Sequence, residues 1–106
     1  MANWTEQQIQ EVWEKGTIAS NNDKNKFRKD QCGAWMSRDK YGNRDSVYGW
    51  EIDHIQTVSK DGTDAMSNLR PLQWQNNAGR SDGRLTTVVT SEGTNNIKVS
   101  GTNKAV

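Results

Sequence analysis

His54 is the only histidine in the chain, and it directly follows Asp53. An imidazole titrates near ~6.5, so it can take a proton from water at neutral pH. Taken alone, an Asp-His pair means little, because most such histidines are ordinary surface or hydrogen-bonded residues. What gives this one weight is the ordered set that it opens: His54, then Asn68, Asn77 and Arg80. Asp53 and Asn77 offer oxygen donors, which favour hard cations such as Mg²⁺ or Mn²⁺ over soft ones. An ion held by only two protein groups keeps open positions for water and an anionic substrate.

These groups need elements to position them. Trp50 to Ile55 is short, β-branched and partly alternating, which predicts a strand. Lys60-Asp61-Gly62-Thr63-Asp64 is turn chemistry. Asn68 to Leu72 predicts a second extended piece, with Pro71 placing it at an edge or strand end. Gln73 to Arg80 predicts one or two helical turns, and Ser81-Asp82-Gly83 a helix-exit turn. The unit is strand, loop, strand, helix. One tension follows from it: in a regular strand Asp53 and His54 point to opposite faces.

Asp53-His54, then Asn68-Leu69-x-x-Leu72, then Asn77-x-x-Arg80 with Ser81-Asp82 behind it, resembles the HNH endonucleases, the ββα-metal or His-Me finger family. About a third of the chain carries the likeness, in residue type, order and spacing. The resemblance implies a one-metal scheme for cutting phosphodiester bonds. His54 would be the general base and Asp53 and Asn77 the metal ligands. Asn68 would tie down the loop and orient the site, and Arg80 would clamp a phosphate. Glu51 is an outer-shell candidate. Many members of the family also hold a structural zinc with two Cys-x-x-Cys pairs. Here those pairs would fall at Cys32 to Trp35 and Gln73 to Asn76, and three of the four thiols are missing, so no structural zinc is expected. Packing by Trp35 and Trp74 would take its place.

Composition bounds the rest. A chain of 106 residues makes one small domain. Aliphatic residues are sparse, and five tryptophans are the counterweight. A single cysteine rules out an internal disulfide, and Cys32 is expected as a small buried residue. No apolar run reaches membrane length and no signal peptide is evident, so the expected setting is cytoplasmic and away from membranes. A net charge of +1 is no general nucleic-acid signature, so such a case must rest on local charge. The local candidate is Lys26, Arg28 and Lys29 around Phe27, which would meet a DNA backbone.

Along the chain, Thr5 and Gln8 stand at capping-box spacing, Ile9, Val12 and Trp13 share a helical face, and Gly16 is a stop. Residues 1–20 therefore read as a helix packing on the core. Residues 21–84 read as the nuclease domain, with its motif core at 49–83 and a hairpin ahead of it. Residues 85–106 read as an extension, with Leu85–Thr90 and Ile97–Val99 pairing as a hairpin and Ser100–Val106 frayed. The expected whole is a small α+β domain that cuts DNA in a divalent-metal-dependent reaction, as a monomer or weak homodimer. The rival reading keeps the fold but makes it a catalytically weak nucleic-acid-binding module.

Overall fold

The fold is taken from a computed structural model, which describes residues 3–80 and 84–99. The expected Ser81–Gly83 turn and the Ser100–Val106 end lie outside the described residues. Helix α1 (Glu6–Trp13) begins on the expected capping box: Thr5 Oγ1 accepts from the Gln8 backbone N–H, and Gln8 Oε1 accepts from the Thr5 N–H. These bonds satisfy two of the donors that every helix start leaves open. Ile9, Val12 and Trp13 are the buried residues of α1.

Three short strands follow, β1 (Thr17–Ile18), β2 (Phe27–Lys29) and β3 (Trp35–Ser37), paired antiparallel in that order. The first two fall where the sequence predicts no strand: β1 lies within the expected N-terminal helical unit and β2 within the charged cluster around Phe27. Strands of two and three residues are too short to show periodicity, so pairing rather than local pattern sets them. Arg28 and Met36 are opposite each other and point inward, with Met36 fully buried. Phe27, Lys29, Trp35 and Ser37 share the outer face.

β4 (Trp50–His54) pairs antiparallel with β5 (Leu69–Gln73), and α2 (Trp74–Ala78) follows without a linker. Gly49 is needed before β4, because a Cβ there would lie 1.8 Å from the Asn43 carbonyl oxygen. A last hairpin joins β6 (Val89–Glu92) to β7 (Asn95–Lys98). Its two-residue turn is Gly93-Thr94, with Gly93 at φ +61°, as a hairpin turn with glycine first requires. The turn is tighter than the six-residue connection expected from the sequence. The whole is a small mixed helix-and-strand domain of the α+β class. None of its helices is long and apolar enough to cross a membrane, among the described residues.

Two centres hold it. One is apolar: Ile9, Val12, Trp13, Met36, Trp50 and Leu69, with Trp13 and Trp50 5.2 Å apart and Tyr41 edge-on to Trp50. The other is polar and sits where the missing thiols would converge. Asp30 Oδ1 accepts from the Cys32 and Ala34 N–H groups, both at 2.9 Å. Its Oδ2 accepts from the Gln73 N–H at 2.9 Å and from Asn76 Nδ2 at 3.0 Å. Asn76 Oδ1 in turn accepts from the Val88 and Val89 N–H groups. The knot joins the turn before β3, the β5–α2 junction and β6. The expected substitution by Trp35 and Trp74 packing is thereby corrected. Trp35 donates to the Gly93 carbonyl and Trp74 to the Ser46 carbonyl, while a carboxylate and an amide, Asp30 and Asn76, make the closure.

Candidate functional site

β4 alternates as its period demands. Trp50 and Ile52 turn toward α1, and His54 follows them, its ring 5.8 Å from that of Trp4. Glu51 and Asp53 turn toward α2 and the residues just after it. Asn77 Nδ2 donates to Glu51 Oε1 at 2.8 Å, and Arg80 Nη1 donates to Asp53 Oδ1 at 2.5 Å. Asp53 and His54 thus leave the strand on opposite sides.

What brings Glu51 and His54 to one place is the free edge of β4. β5 occupies one edge; on the other, the pairing among the described residues is a single bridge from Tyr41 to Trp50. An open depression of about 410 Å³ follows that edge, lined by Trp4, Tyr41, Gly42, Glu51, Ile52, His54 and Asn77. It gathers three of the expected site residues, Glu51, His54 and Asn77. Asp53 is not among those that line it.

His54 Nε2 lies 2.7 Å from Asp64 Oδ1. A carboxylate can only accept there, so Nε2 is the donor, and in the neutral imidazole Nδ1 would hold the basic lone pair. Asp64 stands at the far end of the 55–68 loop, and Asn68 closes that loop. Asn68 Oδ1 accepts from the Gln56 N–H, and its Nδ2 donates to the Gln56 and Thr63 carbonyls at 3.1 and 2.8 Å. Gly62 is also required: a Cβ there would lie 1.8 Å from the Gln56 carbonyl oxygen. Asn68 thus holds the geometry that presents Asp64 to His54. Sequence reasoning missed Asp64, having assigned it to turn chemistry. The available signal was that a lone histidine base needs an orienting acid, and the adjacent loop carries two, Asp61 and Asp64.

Both carboxylates on the α2 side are matched to arginines. Glu51 takes a two-pronged pair from Arg44, at 2.6 Å from Nε and 2.8 Å from Nη2, and the Arg44 side chain is 52% exposed. Burial alone would raise the Glu51 carboxyl, but the bonds from Arg44 and Asn77 and the charge of Arg44 outweigh it and hold the group below its usual range. Asp53 is gripped by Arg70 Nε on Oδ2 at 2.7 Å and by Arg80 on Oδ1, with all three side chains nearly buried. Arg80 also donates to the His54 carbonyl at 2.7 Å. It ties the exit of α2 to the end of β4, rather than reaching out as the expected phosphate clamp.

The two carboxylates of β4 differ in their access to a cation. Glu51 and Asn77 line the open depression and are of the hard-donor type, with both Glu51 oxygens held by the half-exposed Arg44. Asp53 has each oxygen bound by a guanidinium, and an ion there would have to break a buried triad. No group of three or more His, Cys, Asp or Glu side chains is gathered in a way that could hold a metal, among the described residues.

The expected basic patch is divided by the fold. Lys26 is exposed and Lys29 half-buried. Arg28 is only 6% exposed and donates to the carbonyls of Glu14, Gly16 and Lys24, with its guanidinium 6.0 Å from the Trp13 ring. It is an internal staple and not a surface phosphate contact. Cys32 is half-buried, and burial pushes its thiol up, away from a reactive thiolate. Comparison of the chain with protein-family models, with curated proteins and with solved structures finds no match.

Proposed function

We propose that this chain is a divalent-metal-dependent endonuclease of the HNH type, hydrolysing phosphodiester bonds in DNA from the depression along β4. The observation that carries the reading is the convergence of an oriented imidazole, His54, with the oxygen donors Glu51 and Asn77 on a strand–loop–strand–helix unit. His54 Nδ1 takes a proton from a water molecule, and Asp64 stabilises the resulting imidazolium across Nε2. The water oxygen forms the new bond to phosphorus as the bond to the leaving oxygen breaks. Glu51 and Asn77 would hold the cation, whose contribution is to offset charge developing at the leaving oxygen. Asp53 acts by anchoring Arg70 and Arg80, so that the end of β4 keeps its shape.

A second reading is favoured by one specific feature: each carboxylate facing α2 is already neutralised by arginine. That suits a module that binds nucleic acid without cutting it. Nicking of supercoiled plasmid separates the two. With Mg²⁺ or Mn²⁺, wild-type protein is expected to convert supercoiled to open-circular DNA, and His54→Ala to lose about 10²–10⁴-fold in rate. Mobility shifts without cutting, over a range of metals, would overturn the nuclease reading in favour of the binding module.

A further inference from the structure

The outer face of the β1–β2–β3 sheet carries a feature that the cutting site does not use. Cross-strand pairing sets Lys29 opposite Trp35, with Nζ 4.7 Å from the ring centroid, and Phe27 meets Trp35 edge-on at 6.5 Å. The tip of the β6–β7 hairpin closes over this face: Trp35 Nε1 donates to the Gly93 carbonyl and the Tyr48 hydroxyl to the Thr94 carbonyl. Between them lies a cleft of about 170 Å³ lined by Phe27, Trp35 and Tyr48, together with Asn22 and Thr94. Phe27 is 37% exposed, a notable amount of aromatic surface in a chain so poor in apolar residues.

We infer that this cleft takes one unpaired nucleobase, whose flanking phosphates lie against Lys26 and Lys29. Phe27 offers the exposed aromatic face that base stacking requires, while Trp35, 7% exposed and edge-on to it, backs the cleft. The lining also includes the Asn22 amide and the Thr94 hydroxyl, which suit the mixed donors and acceptors of a base edge. A purely apolar peptide side chain would leave those groups unanswered. Charge favours the same occupant. Phe27 stands as a ridge between the cleft and a second depression lined by Asn25, Lys26, Ser37 and Arg38, where Asp39 also contributes. Asp39, which accepts from the Ser37 hydroxyl, and Asp23, which accepts from the Asn25 N–H, keep their negative charge, so the phosphates would lie on the Lys26 and Lys29 side. The inference rests on the nucleic-acid part of the proposed function, and it narrows the substrate to DNA with unpaired bases: single strands, flaps or distorted duplex.

The test measures binding of a fluorescent oligothymidine and of a hairpin duplex by anisotropy, using full-length His54→Ala protein so that nothing is cut. The single strand is expected to bind more tightly than the duplex, and Phe27→Ala to weaken it about tenfold, the scale of one lost base stack. Tyr48→Phe keeps the ring and is expected to keep the affinity. Lys26→Ala is expected to flatten the salt dependence while preserving the preference for single strands. Equal affinity for both forms, or a Phe27→Ala variant that is folded by circular dichroism and binds like its parent, would overturn the cleft. Failure of the cutting reading shows elsewhere, as wild-type protein that leaves plasmid intact while oligothymidine still binds through Phe27.

Discussion

Asp30→Asn is the most informative single change to the fold, because the charge disappears while shape and size are kept. Asp30 is 3% exposed and accepts four hydrogen bonds, two on each oxygen. An asparagine can orient its one oxygen toward either pair; its NH₂ then faces two N–H donors. Two buried donors lose their acceptor, at about 1–3 kcal/mol each, or about 2–6 kcal/mol together. Part of this is offset. Burial pushes the Asp30 carboxyl above its ordinary range, and its four donors only pull it partway back, so the ionised form is under strain that the amide does not feel. The expected net loss is about 2–4 kcal/mol, a large share of the roughly 5–15 kcal/mol that holds a domain of this kind. With a urea dependence of about 1–3 kcal/mol per molar, the unfolding midpoint should fall by about 1–3 M. The pH dependence gives a second check. A carboxyl whose folded pKa is raised contributes most below its unfolded value, near 3.8, and loses that contribution as pH rises through the folded value. The deficit of Asp30→Asn should therefore be larger on the acid side of that window than at neutral pH. A loss under about 0.5 kcal/mol in urea unfolding would refute the claim that this knot closes the fold.

Three further outcomes follow from the site. Glu51→Gln should weaken Mn²⁺ binding by about tenfold or more in calorimetry, whereas Asp53→Asn should mainly lower thermal stability; the reverse pattern would make Asp53 the ligand. Asn68→Ala removes three partly exposed hydrogen bonds and should cost about 1–3 kcal/mol, with plasmid nicking reduced in parallel; full activity would show that the loop holds Asp64 without it. The Glu51 carboxyl, held low by Arg44 and Asn77, contributes stability present above its unfolded value and lost as pH falls through the folded one. Arg44→Ala should move its midpoint upward in a carboxyl carbon NMR titration, and an unmoved midpoint would mean the pair is not formed in solution.

The elements nearest the chemistry were legible because their signals are local. Trp50 to His54 alternates between the α1 side and the α2 side, Pro71 sits in β5 of a two-stranded sheet, and Thr5 with Gln8 forms its cap within one turn. The expected helix from Gln73 to Arg80 shrinks to Trp74–Ala78. Arg80 leaves it because its guanidinium is drawn across to Asp53 and the His54 carbonyl. What stayed hidden is set by distance along the chain. Nothing near Asp30 announces that Gln73 and Asn76 will meet its carboxylate. Nothing near Arg28 says that its charge will be used on the carbonyls closing α1. A cationic cluster reads as surface until the strand register turns its middle member inward.

The arginines decide which carboxylate a cation could reach. A buried ion pair is expensive to break, about 3–5 kcal/mol when one partner is left uncompensated, because the remaining charge has no water to turn to. An exposed pair is worth roughly 0.2–1 kcal/mol. Asp53 sits between two nearly buried guanidiniums, so an ion arriving there must displace charges that cannot easily be resolvated. Glu51 is paired with Arg44, whose side chain is half in solvent and can leave at little cost. The same carboxylate shares its Oε1 with Asn77 and borders the depression that holds His54. By this difference of several kcal/mol the two acids of β4 take different work. Asp53 is fixed as a permanent counter-charge within the fold, and Glu51, neutralised by the half-exposed Arg44, is the one a cation would have to compete for under the proposed reading.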